Sequence, residues 1–291
     1  MRPAFDSARR ARPLLGTFVE VIAGGACRDR LNGSIEKAFA AVAEVHRLMS
    51  FHESGSDVSR LNRSALFGPL EVDPQTFEVL EWSRCFAEAS EGCFDITVAA
   101  QLVDWRLLPR PVSAYVPDRQ GSWRDVELLP DSTVRFRRPI WIDLGGIAKG
   151  YAVDRAIDCL RAAGIPRGCV NAGGDLRVLG REAARVQLEP RHKGERCLPV
   201  LAVANGSVAS SGGGRRHLGA AGPHVHGIAR RAVGGHAFVS VVADRCVVAD
   251  ALTKVVLTQG PRSEAVLRRY GARAHVRTAR HEWCTIGGSA P

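Results

Sequence analysis

The chain has 291 residues and a formal net charge of +10 at pH 7, from 40 basic and 30 acidic side chains, with 45% hydrophobic and 24% charged residues. These proportions exclude a disordered chain, a collagen-like repeat and a coiled coil as global descriptions, and no apolar run reaches the ~18 residues of a membrane span. The length accommodates one large domain or two smaller ones, at roughly 100–200 residues each.

Residues 1–13 read as an N-terminal tail ahead of a single domain over 14–291. The basic start lacks the apolar stretch of a secretory leader, which points to the cytoplasm. Residues 14–22 are rich in β-formers and predict a strand. Residues 34–49 predict a helix, because Ile35, Phe39, Val42, Val45 and Met49 recur at spacings of three and four behind the capping residue Ser34. A polar stretch over 50–62 precedes a second helix, 74–90, with Pro74 near its start. Residues 106–140 are loop-rich, with short strands expected near Val126 and Val134. Residues 140–144 predict a strand and 147–163 a helix ended by Gly164 and Pro166. Strands over 169–171 and 176–179 flank a Gly173-Gly174 turn. Residues 205–235 predict long loops, 238–243 a strand, and 249–259 and 263–270 two helices. Strands and helices are interspersed without a steady βα rhythm, which predicts an α+β fold with mixed sheets and helices.

Eight cysteines are scattered without a CxxC pair or a zinc-ligand spacing, and Cys159 and Cys246 sit in apolar runs as small core residues do. That usage fits a reducing compartment. The cations are lopsided: Lys37, Lys149, Lys193 and Lys254 are the only lysines and the rest are arginine. The arginine excess reads either as a compositional habit or as attraction for anions. Against that background each lysine stands out as a compact point charge.

The densest motif is Asp143-Leu-Gly-Gly-Ile-Ala-Lys149-Gly150. An acid at a strand end, two glycines and a lysine in the first helical turn suit a phosphate-bearing ligand, since a helix N-terminus offers free N–H groups. The same pattern also describes a Gly-rich strand-to-helix turn with a capping Asp. It matches neither the Walker A loop nor GxGxxG. In Asp250-Ala-Leu-Thr253-Lys254, positions i, i+3 and i+4 share a helix face. Asp250 and Thr253 could aim oxygens at a hard cation, or Asp250 could simply favour the helix dipole. His224 and His226 in a Gly-rich segment invite a base or metal-ligand reading, or are exposed loop residues; in an extended segment only one of them faces a given site. The Gly206–Gly214 stretch is not a G-x-S-x-G elbow at Ser210 or Ser211 and reads as a ligand-contacting or a bland loop.

Taken in order, these segments resemble the ApbE family of FAD:protein FMN transferases. The matching runs are Leu15-Gly-Thr-Phe18, Leu48-Met-Ser-Phe-His52, Asp57-Val-Ser-Arg-Leu-Asn62 and Gly92-Cys-Phe-Asp-Ile-Thr-Val98. They continue through Asp143–Gly150 and Asp154, Asn171-Ala-Gly-Gly-Asp175, Val208-Ala-Ser-Ser-Gly212, His224 and Ala249-Asp-Ala-Leu252. The resemblance implies a domain of two intertwined lobes with FAD in the cleft between them. It implies an Mg²⁺-dependent transfer of FMN from FAD to a threonine or serine hydroxyl of an acceptor flavoprotein, with release of AMP. FAD hydrolysis, or flavin binding without transfer, is the alternative within that fold.

Carried over by position, Asp143, Lys149, Cys93, Phe94 and Asp95 resemble flavin-nucleotide contacts, as do Leu15 and His52, with His226 beside the same site. Gly146 resembles a carbonyl metal ligand, Asp250 and Thr253 side-chain ligands, and His224 the base for the acceptor hydroxyl. Three departures stand out. Lys254 occupies the position where the family commonly has a threonine metal ligand, so metal binding is expected to be altered, with Lys254 neutralising phosphate directly. Val225-His226-Gly227 replaces an Ile-Asp-Pro-like run after the histidine, and no lipobox precedes the domain. From a different class, a basic nucleic-acid-binding protein would need a basic stripe interleaved with aromatics. The arginine pairs here are dispersed and aromatics are 6% of residues, so nucleic acid is not an expected partner.

Overall fold

The structure is a computed structural model that describes residues 6–188, 198–212, 224–233, 238–278, 280 and 282–288. Lys193, Cys197 and residues 213–223 and 234–235 of the expected 205–235 loops lie outside the described residues. In chain order the elements are β1 (Asp6–Leu14), β2 (Thr17–Ala26), α1 (Arg28–Met49), α2 (Asp57–Ser64), β3 (Leu70–Glu71), α3 (Pro74–Ala89), α4 (Ala99–Asp104), β4 (Val126–Leu129), β5 (Thr133–Phe136) and α5 (Ala148–Ala162). They continue with β6 (Arg167–Ala172), β7 (Asp175–Leu179), β8 (Ala184–Gln187), β9 (Val200–Val203), β10 (Ser207–Gly212), β11 (Phe238–Ala243), α6 (Cys246–Gln259), α7 (Glu264–Arg269), β12 (Arg273–Arg277) and β13 (Trp283–Ile286). The fold is α+β, as expected.

Eight strands form one sheet in the order β1-β2-β6-β7-β10-β11-β12-β13, each neighbouring pair antiparallel. Helices α1, α5 and α6 pack along one face of it. The period-two pattern of β2 drives Val19, Val21 and Ala23 inward, where they meet Ile35, Phe39 and Val42 of α1 and Ala152, Ala156 and Leu160 of α5 in one core. On the other face, the β8–β9 hairpin helps close a smaller core of Leu176, Val178, Leu188, Val203 and Val208. That second layer buries every residue of β7, which matters because Asp175 begins that strand. A three-stranded sheet, β3-β5-β4, stands apart from the main one.

Several expectations change. Residues 6–13 are not a tail but most of strand β1, paired with β2 through a turn at Leu15 and Gly16, both at positive φ (55° and 70°). The arginines that hid this strand lie along its exposed edge. Arg9 bonds Glu20 across the pair at 2.7 Å, and Arg12 reaches Glu36 at 2.6 Å while stacking over Phe39. Within the polar stretch 50–62, α2 begins at Asp57, capped by the Ser56 hydroxyl at 3.1 Å from the amide of Ser59. The 140–144 run forms no strand. Its backbone is satisfied by a side chain instead: the Asn62 amide accepts from the Ile142 N–H (2.7 Å) and donates to the Ile142 carbonyl (2.9 Å), as a neighbouring strand would. Strand β10 lies inside the expected loop region, hidden by its small residues, Ser207, Ala209 and Ser211 among them. Helix α6 starts at Cys246 rather than 249, so Asp250 sits in its second turn and the helix-start reading of that residue does not hold. Among the described residues no helix is long and apolar enough to cross a membrane.

Candidate functional site

Two helices set the site. The first turn of α5 meets the second turn of α6 at Gly150, where a Cβ would lie 2.7 Å from the Cβ of Asp250 and collide with the carbonyl of Cys246. Only glycine permits this approach. The contact lets the Gly150 N–H donate to Oδ2 of Asp250 at 2.9 Å. The start of α6 is locked by Asp154, a fully buried residue of α5. Its carboxylate accepts from the Cys246 and Val247 amides at 2.9 and 3.0 Å and from Arg177 at 2.7 Å. Asp154 thus serves as the missing cap of the neighbouring helix.

Around that junction four charges meet. Lys149, next to Gly150, donates to Oδ2 of Asp175, and Lys254, one turn after Asp250, donates to Oδ1 of Asp250. Lys254 Nζ also donates to the Asp250 carbonyl at 3.0 Å. Asp175 additionally accepts from the Ser210 amide at 3.2 Å, which ties the pair to β10. Burial and the Asp250 charge raise the Asp175 pKa against the pull of both lysines. Burial alone would raise Asp250 too, but Lys254 and Lys149 hold it below the ordinary carboxylate range. Burial works to neutralise Lys149, yet Asp250 and Asp175 keep its ammonium charged well beyond the usual range.

His224 lies within electrostatic reach of the same groups. Burial, followed by the charges of Lys254 and Lys149, lowers its pKa to about 3, so the imidazole is neutral at pH 7. His226 points elsewhere: its Nδ1 accepts from the amides of Ile228 and Ala229 at 3.2 and 3.3 Å and closes a local turn. The two histidines thus have different surroundings, and His226, expected as a nucleotide contact, is engaged in a local turn.

The segment 224–233 is held against the 92–98 turn. The Gly227 N–H donates to the Cys93 carbonyl at 3.0 Å. Arg230, in the left-handed region at φ 50°, donates to Asp95 Oδ2 (3.2 Å), the Thr97 hydroxyl (2.9 Å) and the Gly121 carbonyl (2.5 Å). Asp95 also accepts from Thr97 N and Oγ1 at 2.8 and 2.7 Å and from the Trp123 amide at 3.2 Å. Both its oxygens are committed within the protein, so Asp95 positions the histidine segment rather than contacting a nucleotide as expected. Burial pushes its pKa up while Arg230 opposes. A Cβ at Gly227 would run into the carbonyl of Gly92 and come within 2.8 Å of that of Cys93. Gly227→Ala is expected to force the segment that carries His224 away from the 92–98 turn, with stability reduced by about 1–3 kcal/mol. Thermal unfolding checks this; a wild-type melting temperature would refute it.

The remaining expected residues are distributed around this point. Phe94 is buried against Phe86, and it and Lys254 flank Gly146: a Cβ there would lie 3.7 Å from Phe94 and 3.8 Å from Lys254. Asp143 is raised by burial, opposed by a Gly145 amide and by the charge of His52, which places exposed His52 beside it. Leu15 lies in the β1–β2 turn. That turn abuts the Gly173-Gly174 turn leading into Asp175, since a Cβ on Gly173 would meet Thr17 at 2.6 Å. Three residues that matter went unassigned in the sequence: Asp175, Arg230 and Arg177. The acid directly after Gly173-Gly174 at a strand start was a usable signal for Asp175; the other two had none.

The resemblance to the family implies a magnesium ion at Gly146, Asp250 and Thr253, and the donors present do not fit it. Oδ1 of Asp250 accepts from the Lys254 ammonium and Oδ2 from the Gly150 N–H. The Thr253 hydroxyl donates to the Asp250 carbonyl at 2.7 Å and pairs with Ser211 at 2.8 Å, so it does not aim beside the carboxylate. A cation needing oxygens at about 2.0–2.1 Å would share one of them with a positive charge.

Comparison with known proteins places the whole chain in one family. The ApbE family model matches residues 15–276. A FAD:protein FMN transferase of Treponema pallidum is 27% identical over a region covering 90% of this chain and 83% of that protein. The crystal structure of the ApbE protein from Thermotoga maritima superposes with a TM-score of 0.83 at 23% identity, and the flavin transferase ApbE from Vibrio cholerae with 0.81 at 21%. Each covers 97% of both chains.

Proposed function

This chain belongs to the ApbE family, and from that premise we propose that it transfers the FMN moiety of FAD to an acceptor flavoprotein and releases AMP. The acceptor group in this reading is a threonine or serine hydroxyl. The observation that carries it is the convergence of two ammonium groups and one neutral imidazole at the α5–α6 junction. A diphosphate bridge needs cations to offset its charge, and a hydroxyl needs a base.

In the reaction, the acceptor oxygen forms a bond to the FMN phosphorus while the bond from that phosphorus to the bridging oxygen breaks. The hydroxyl proton passes to His224, and the bridging oxygen leaves with AMP. Lys149 and Lys254 offset the charge on the phosphates, while Asp175 and Asp250 hold both ammonium groups in place. Asp143, His52, Phe94 and Leu15 surround the point as candidate contacts for the rest of the dinucleotide. No step here runs through magnesium. Incubating the protein with FAD and a candidate acceptor, followed by intact-mass analysis, tests the reading. A covalent FMN phosphoester on the acceptor is the expected product; free FMN without modified acceptor would mean hydrolysis instead and overturn transfer.

A further inference from the structure

Lys254 is a cation held by two oxygens of one residue. Its ammonium donates to the Asp250 carboxylate and, at 3.0 Å, to the Asp250 carbonyl. Of its three donors, one is left for a ligand. The side chain is fixed from both ends: the helical i,i+4 spacing sets its direction, and its Cε lies next to Gly146 at the Gly-rich turn. The carboxylates form the floor of the site, with Asp250 and Asp175 side chains 0% and 1% exposed. The side chains of Lys254 (15% exposed) and Lys149 (33%) reach solvent where the carboxylates do not. An anion arriving from solvent meets the lysine side chains before the carboxylates.

The identity of the residue is informative. In a chain whose basic side chains are almost all arginine, two of four lysines stand at this one point. An ammonium is a compact charge that fits where a small cation would sit, whereas a guanidinium fork is not. Both carboxylate oxygens of Asp250 are already engaged, by Lys254 and Gly150, and the Thr253 hydroxyl is engaged by the Asp250 carbonyl and Ser211.

We propose that Lys254 is a built-in cation that takes the place of a divalent metal, so that this chain binds the diphosphate of FAD without a metal ion. The inference rests on the function proposed above, and its test separates the two. FAD binding to the full chain is measured by flavin fluorescence in excess EDTA and again in millimolar Mg²⁺, and Mg²⁺ and Mn²⁺ are titrated calorimetrically with FAD present. The expected result is the same FAD affinity in both buffers and no metal isotherm. Lys254→Thr is expected to weaken FAD binding by about tenfold or more in EDTA, as loss of a charge-assisted hydrogen bond does, and to regain it with Mg²⁺ alongside a new metal isotherm. Should that variant not fold, Lys254→Gln serves: weaker FAD binding supports the proposal, and unchanged binding overturns it. Wild-type affinity that collapses in EDTA would overturn the inference while leaving the transferase reading intact. Absence of FAD binding in either buffer would overturn the transferase reading and this inference with it.

Discussion

His224→Asn is expected to lower the transfer rate by about 10²–10⁴-fold, the usual contribution of a positioned general base, with FAD affinity within a few-fold of wild type. Asparagine keeps a polar group of similar reach but cannot take the acceptor proton. Binding survives because the charges offered to the phosphates belong to Lys149 and Lys254, which do not depend on the imidazole. The pH dependence follows from the same geometry. Burial and two neighbouring ammonium groups bring the His224 pKa to about 3, so the base stays neutral from pH 8 to pH 5. Acidification across that range is expected to leave this base active. Stability behaves differently. The unfolded chain's histidine takes up its proton near the ordinary value of about 6.5, and the folded one does so only near 3. The unfolded state therefore binds more protons between those values, and stability from this residue is complete above about pH 6.5 and declines as pH falls through the window. Pre-steady-state transfer rates and FAD titrations for both proteins check the first claim; a variant with wild-type turnover would remove His224 from the mechanism.

The largest effect on stability is expected at Asp154. Removing one partner of a buried ion pair costs about 3–5 kcal/mol, because the other charge remains buried and unpaired. Here Asp154→Ala strands Arg177 and also leaves the Cys246 and Val247 amides without their acceptor. For a chain of this size a loss of about 4 kcal/mol corresponds to roughly 8–16 °C in melting temperature. The pair and the cap can be told apart. Adding Arg177→Met removes the stranded charge and is expected to restore part of the loss, while the uncapped amides of α6 keep the double variant below wild type. Thermal unfolding by circular dichroism measures both, and a single variant melting within about 2 °C of wild type would show that α6 is anchored by other means. Transfer should fall as well, since Asp250 and Lys254 ride on the helix that Asp154 secures.

Much of this was legible in the amino-acid sequence. The apolar spacing of α1, α3 and α5 and the β-rich runs of β2, β7 and β11 are local signals, because periodic burial leaves its imprint residue by residue. The Asp143–Gly150 motif and the acid at 250 likewise announced themselves through glycine and charge, and the order of motifs identified the family. Charged β1 and small-residue β10 did not read as strands, since their membership in the sheet depends on what pairs with them. The 140–144 run read as a strand, yet a side chain 80 positions away satisfies its backbone. The roles of individual polar groups were decided only in three dimensions. Asp95 and His226 carried the same motif weight as Asp143 and His224, but hydrogen bonds to Arg230, Thr97 and local amides commit them to holding a loop. Thr253 and Lys254 are adjacent in the chain and share a helix, yet one hydroxyl turns into the protein and one ammonium covers a carboxylate. Residue type says what a side chain can donate or accept; which partner takes that capacity is set by neighbours that the chain brings together from up to a hundred and more residues away.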